Sequence, residues 1–348
     1  MSGYLDHYLA KLDGPLTDPA TIELAINSDA VIWVEKAGAA SMIPLEGHTI
    51  SVEEVTDLAK QIANVAKLKL TDSEPMISTT VTYKGVTLRV QAMIPPASSH
   101  GTCVSIRLFR RRKAKEQPKQ FTFLRQQGSS LEAERLEKIR GMRELVEAIE
   151  VGAPADEFLE RCVHEKLNII ISGGTSTGKT ELARMLQWMI DDSERLVLIE
   201  DSAELLPHQP NHVSLIASRS ENSPRSAEKL LQATLRLRPD RIILGELRGA
   251  EAMTFLESIN TGHAGSFTTI HAQTARKAMD RLAFLVLNTG IRLNYAEILR
   301  YLRGSIDLVI QTGRQGNRRG IMEVYFPALD EQDRQAERRH EAGSDLEL

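Results

Sequence analysis

Residues 169–186 read IIISGGTSTGKTELARML. Three isoleucines are followed by a run of Gly, Ser and Thr, then by a lysine and helical spacing. An apolar run this short predicts a strand buried on both faces. A Gly-rich turn leading straight into a helix leaves main-chain amides and a helix N-terminus facing outward together, a cradle for an anion. Gly173, Gly178, Lys179 and Thr180 satisfy GxxxxGK[ST], with the strand before and the helix after that the pattern requires. The expected parts are distinct. Amides of Gly173, Gly174, Thr175, Ser176, Thr177 and Gly178 hold the β-phosphate of a nucleotide, Lys179 stands between the β- and γ-phosphates, and the Thr180 hydroxyl ligates Mg²⁺.

The chain around this turn alternates. Strands are expected at LNIII, RLVLIE, RIILGE and SFTTI. Helices are expected from Thr180, from about Ser226, from Ala250 and from Thr274. That order means crossover units and a parallel sheet. SIDLVIQ and IMEVYF read as a closing hairpin through TGRQGNRRG. The first third reads as a smaller mixed α and β domain. AVIWVEKAG and TCVSIRLF look like strands, and ISTTVTYKGVTLRVQAMI looks like a hairpin about Lys84-Gly85. SVEEVTDLAKQIANVAKL carries Val52, Val55, Leu58, Ile62, Val65 and Ala66 at helical spacing. The boundaries expected are 1–112 for the first domain, 113–130 for a basic linker containing Pro118 and Gly128-Ser129-Ser130, 131–330 for the second domain and 331–348 for a disordered tail. Tyr4, Leu5, Tyr8, Leu9 and Leu12 fall on one helical side, and packing onto the first domain is expected over docking at a membrane surface.

Hydrolysis needs a group that orients water and another that meets developing charge. In open parallel sheets ligands gather at the carboxyl ends of the strands. Two acids expected there are Glu200, in VLIEDSAEL, and Glu246, in DRIILGEL. Position 245 is Gly where a Walker B strand commonly carries Asp, so Glu246 is expected to serve metal and water alone or with Glu200. An acid after a strand is also a common helix cap. NTGHAGSFTTIHA places His263 before a strand and His271 after it, and His271 is expected to bond the γ-phosphate as a sensor. Arg236 and Arg238, in LRLRPD, stand where they either offset a helix dipole or reach a phosphate. Arg107 sits inside an alternating strand and is the arginine expected to reach the nucleotide from the first domain. Arg110, Arg111 and Arg112 divide between a solvated run and a functional one.

The 348 residues carry a net charge of −4, too mild for a general polyanion binder, and contain 5% aromatic residues. No apolar run approaches the ~20 residues of a spanning helix. The start has neither a signal-peptide layout nor a myristoylation signal. Cys103 and Cys162 form no CxxC pair and are expected as buried thiols in a reducing cytosol.

ISGGTSTGKT, IEDSAEL, LRLRPDRIILGELRG and TGHAGSFTTIHA, in that order, together resemble the hexameric traffic ATPases of type IV secretion systems, the motors of conjugation and effector export. The resemblance covers nearly all of the second domain and is looser in the first, mainly SIR before the linker. It implies an α/β subunit: a RecA-like P-loop NTPase domain with a parallel central sheet, preceded by a smaller mixed α+β N-terminal domain. It also implies ATP as substrate with Mg²⁺, a homohexameric ring, and nucleotide between the two domains. Partners would be membrane-embedded and other ATPase subunits, holding the ring peripherally at the cytoplasmic face of the bacterial inner membrane. Lys179, Thr180, Glu200, Glu246, His263 and His271 match the family's motif positions, and Arg107 matches its N-domain arginine.

Two other classes bear comparison. A nucleic-acid translocase would carry aromatic stacking platforms along a basic channel, and aromatics are only 5% of this chain. A nucleotide-gated scaffold would not need Lys179, Thr180 and Glu246 together.

Overall fold

Leu5, Leu9, Leu12 and Leu16 recur at three- and four-residue intervals, and all four are buried. They draw helices α1 (Gly3–Ala10) and α2 (Asp13–Thr17) into the same core as Leu24, Ile26 and Leu58; Leu5, Leu9 and Leu12 pack as the N-terminal pattern predicted, whereas Tyr4, expected on the same side, is exposed. The computed structural model describes residues 3–110, 121–125, 128, 130–220 and 222–330. Arg111, Arg112, Pro118, Ser129 and the tail 331–348 lie outside the described residues.

Strands β1 (Thr21–Ile26), β2 (Ile32–Lys36) and β3 (Ile43–Pro44) come next, then helix α3 (Val52–Val65). Ser51 and Glu54 form a reciprocal capping box at the start of α3, an arrangement worth about 1 kcal/mol. The buried face of α3 is Val55, Leu58, Ala59, Ile62 and Ala63, while Val52 and Val65 at its ends are exposed. Strands β4 (Met76–Tyr83) and β5 (Val86–Met93) form the expected hairpin. Lys84 and Gly85 both have positive φ at the turn, which matches the twist of the strands it joins. Strand β6 (Cys103–Phe109) completes a sheet in the order β3-β2-β1-β6-β5-β4, antiparallel throughout.

The remaining elements are α4 (Leu131–Ala148), α5 (Asp156–His164), β7 (Ile169–Ser172), α6 (Lys179–Trp188), β8 (Leu196–Glu200), β9 (His212–Ile216), α7 (Ala227–Thr234), β10 (Arg241–Leu244), α8 (Glu251–Asn260), β11 (Phe267–Ile270), α9 (Ala275–Leu287), α10 (Tyr295–Ser305), β12 (Leu308–Gln315) and β13 (Arg318–Tyr325). Helices α7 and α9 start where predicted because Ser226 and Thr274 accept from the third helical amides.

By internal contacts the chain divides into two compact units, Met1–Gln117 with Asp191–Gly245, and Pro118–Ile190 with Glu246–Leu348. This division differs from the boundaries expected along the sequence. Segment 191–245 is hydrogen-bonded to the N-terminal part of the chain. Ser99 donates to the Ser214 carbonyl at 3.0 Å and Ile216 to Ala97 at 2.8 Å. Buried Arg195 donates to Asn27 at 2.7 Å, and Arg238 meets both oxygens of Glu35. In the first unit β10, β8 and β9 pair in parallel beside the antiparallel sheet. In the second unit β7 is flanked in parallel by β11 and β12, and β13 returns antiparallel to β12. That last hairpin is laddered further than expected, with Arg314 opposite Arg319 and Gln315 opposite Arg318.

Arg110 belongs to the architecture. Its guanidinium donates to the carbonyls of Leu16, Thr21 and Asp18. Cys103 and Cys162 are buried and free, and burial pushes the Cys103 thiol up to about 11. Among the described residues no helix is long and apolar enough to cross a membrane.

Candidate active site

Strand β7 ends at Ser172 and α6 begins at Lys179, so the six residues between are the polar turn. Two glycines are required by its geometry. Gly178 lies at φ +97°, a left-handed conformation costly for a residue with Cβ. A Cβ on Gly173 would overlap the hydroxyls of Thr177 and Thr312. Helix α6 has no side-chain cap, so its first amides are left for a ligand.

Two hydroxyls hold the turn. Thr177 Oγ1 lies 3.0 Å from the Gly174 carbonyl and 2.8 Å from Thr312 Oγ1, and Thr312 Oγ1 lies 3.1 Å from the Ser172 carbonyl. Thr312 comes from β12, the strand beside β7. Lys179 Nζ donates to the carbonyls of Gly173 at 3.1 Å and Gly174 at 2.8 Å, and lies 3.4 Å from His271 Nδ1. Burial pushes the Lys179 ammonium below its ordinary value, and the Glu246 carboxylate acts the other way.

His271 follows β11 at its carboxyl end, on the same edge as the turn after β7. Its Nε2 is 3.4 Å from Glu246 Oε1, and Arg248 donates to Glu246 Oε2 at 2.6 Å. Lys179, His271 and Glu246 thus form one chain of polar groups. Glu251 steadies the loop below them by accepting from the amides of Arg248 at 2.5 Å and Gly249 at 2.8 Å. A cavity of about 270 Å³ opens beside the turn, lined by Ser176 to Glu181, Arg184 and Arg319. A loop of inward amides, a lysine, a hydroxyl and a nearby carboxylate can hold a polyphosphate and orient water against it.

His263 precedes β11, at the amino edge of the parallel strands and thus opposite the phosphate turn. Its Nδ1 lies 3.0 Å from the Ser258 carbonyl, and Ser266 donates to its own carbonyl at 2.7 Å. Glu200 ends β8 in the first unit, is buried, and accepts from the amides of Glu204 at 3.1 Å and Leu205 at 3.0 Å. Arg236, also in the first unit, is exposed in the turn after α7. Arg107 gives Nε and Nη2 to Glu23 Oε2, both at 2.9 Å; Glu23 is 2% exposed and the Arg107 side chain 49%. Ser105 holds the other Glu23 oxygen at 2.7 Å.

Thr312, Arg248 and Arg319 were not singled out by sequence. Arg248 had a usable signal, two residues after Glu246. Thr312 had only its place at the end of LVIQT.

This arrangement, on parallel strands with helices between, defines a RecA-like P-loop nucleotide-binding ATPase. Residues 141–315 match the model of the family described as Type II/IV secretion system protein. The chain is 33% identical over 337 residues to the type IV secretion system protein VirB11 of Brucella suis biovar 1, covering 92% of this chain and 90% of that one. It is 31% identical over 327 residues to VirB11 of Bartonella quintana, covering 89% of each. The crystal structure of the Brucella suis VirB11 ATPase in complex with sulphate superposes with a TM-score of 0.79 at 29% identity, over 93% of this chain and 95% of that one. The chain belongs to this family of secretion ATPases, in its VirB11 branch. It is an ATP-hydrolysing motor subunit of a type IV secretion system.

Proposed function

We propose that the subunit binds ATP with Mg²⁺ in the cavity beside Gly173–Thr180 and hydrolyses it with Glu246 as the group that orients water. The observation that carries this reading is the continuous contact from Lys179 through His271 to Glu246 beside an uncapped helix N-terminus. The sulphate held by the Brucella protein is a tetrahedral anion of the kind such a loop suits. The Thr180 hydroxyl and the Glu246 carboxylate are hard oxygen donors, the chemistry Mg²⁺ selects. When bound, the ion neutralises charge on the phosphate oxygens. Lys179 supports the β- and γ-phosphates. Loss of the γ-phosphate frees His271 to move between Lys179 and Glu246, which couples hydrolysis to the shape of the site.

Glu200 supports the loop after β8 in this reading, and His263 and Arg236 serve their own turns. Arg107 keeps a second role. Glu23 orients one edge of its guanidinium and leaves the other open, suiting it to meet developing charge during turnover. The functional division remains 1–112 and 131–330, with 113–130 as the connection.

The working assembly is a homohexameric ring at the cytoplasmic face of the inner membrane, attached through membrane-embedded and other ATPase subunits of the secretion system. Family membership supports this assembly. Native mass measurement with Mg²⁺ and a non-hydrolysable ATP analogue is expected to give six copies; a monomer at all protein and nucleotide concentrations would exclude the ring. Removing Mg²⁺ with chelator is expected to abolish hydrolysis.

A further inference from the structure

Arg319 is a cation at the phosphate cavity with a position different from that of Lys179. Thr312 stands on the β12–β13 hairpin facing the turn, where it meets Thr177. Arg314, two residues on, shares the face of Thr312, and Arg319 is its cross-strand partner. Arg319 therefore points to the same side, and its Cδ lies 3.9 Å from where a Cβ on Gly178 would stand. The hairpin is fixed by Thr312 on Ser172 and by Glu323, which lies opposite Gln311 and accepts from the Ala275 amide at 3.1 Å.

Nearby Arg184 is paired with Glu181 at 3.1 Å. The Arg319 side chain is exposed and has no ion pair or hydrogen bond among the described residues. It also faces Arg314 directly, an opposition of like charges that disfavours the hairpin and that a bound anion would relieve. Lys179 Nζ is turned toward Gly173, His271 and Glu246, the side where hydrolysis takes place. Arg319 lines the other flank with Gly178, Glu181 and Arg184.

Resting on the nucleotide reading of this cavity, we propose that Arg319 is a nucleotide-binding residue that contacts the α- and β-phosphates, the part ATP and ADP share. Such a contact binds substrate and product alike and adds nothing special to the transition state, so it governs KM more than kcat.

The test is equilibrium titration of the full chain with fluorescent ATP and ADP analogues and Mg²⁺, beside steady-state hydrolysis. Arg319→Ala is expected to weaken both nucleotides about tenfold, the scale of one charge-assisted contact at an open site, and to raise KM by a similar factor. Its kcat should stay within about twofold. Arg319→Lys should recover part of the loss. Arg318→Ala removes the same charge from the opposite face of the strand and should bind both nucleotides as the unaltered chain does. Equal melting temperatures would show that the variants are folded. Unchanged affinity in Arg319→Ala, loss for ATP but not ADP, or equal loss in Arg318→Ala would each overturn the proposal. Failure of the unaltered chain to bind either nucleotide would instead remove the reading on which it rests.

Discussion

The two compact units treat their charged residues differently. In the first, the nominated charges are largely spent on the fold. Glu200 closes its own loop, Arg238 meets both oxygens of Glu35 and also Asp240, and Arg110 ties three carbonyls. In the second, Lys179 donates to main-chain carbonyls of the turn and to His271 and lines an open cavity, and Glu246 shares its oxygens between His271 and Arg248. A nominated residue is worth pursuing when its polar atoms still face unfilled space, and a strand-end position alone does not ensure that. Arg107 stands between the two conditions, anchored on one edge and half exposed on the other.

The sharpest way to break the contrast is to alter one carboxylate from each unit. Glu246→Gln is expected to retain ATP binding and to lose on the order of 10²–10⁴ in kcat, as removal of a positioned general base does. Equal turnover to the unaltered chain would move the water-orienting role away from Glu246. Arg107→Ala is expected to cost on the order of 10²–10³ in kcat if the open edge serves the reaction. A drop in melting temperature with full turnover would place Arg107 with the structural charges, since buried Glu23 loses its cation in either case. Thr312→Val removes one of the hydroxyls that hold the phosphate turn and should lower kcat/KM about tenfold, with Thr312→Ser restoring it. If valine is tolerated without loss, the turn is held by its glycines and Thr177 alone. The smallest effect is expected from Glu200→Gln. An amide oxygen can still accept from Glu204 and Leu205, so turnover per folded molecule should stay within about twofold. A loss as large as that of Glu246→Gln would erase the distinction drawn between the two acids.

Much of the site was readable because it is written in local chemistry. Gly173 and Gly178 are required by backbone shape, and Lys179 and Thr180 follow them at fixed offsets. Glu246 and His271 follow apolar runs that became parallel strands, so their edge could be inferred. His263 could have been placed by the same rule, since it precedes its strand. Glu200 follows a strand too, but no sequence pattern states that its carboxylate turns back onto its own loop. Thr312 reaches the turn from 135 positions away in sequence, through strand order that single-sequence periodicity does not specify. Strand β9 and helices α5 and α10 are elements the sequence pattern does not predict. HVSLI and DEFLERCVH are short, and periodicity alone is a weak guide over such lengths. The first-unit cluster of Arg195, Asn27 and Asn211 joins distant segments in the same way, so the compact units do not follow order along the chain.

The central claim is that main-chain amides between β7 and α6, with Lys179, hold the triphosphate of ATP. Calorimetric titration of Mg-ATP into the full chain and into Lys179→Ala tests it most directly. Saturable uptake by the unaltered chain, weakened on the order of a hundredfold in the variant, is predicted. Equal uptake by both, with both proteins folded, would contradict it.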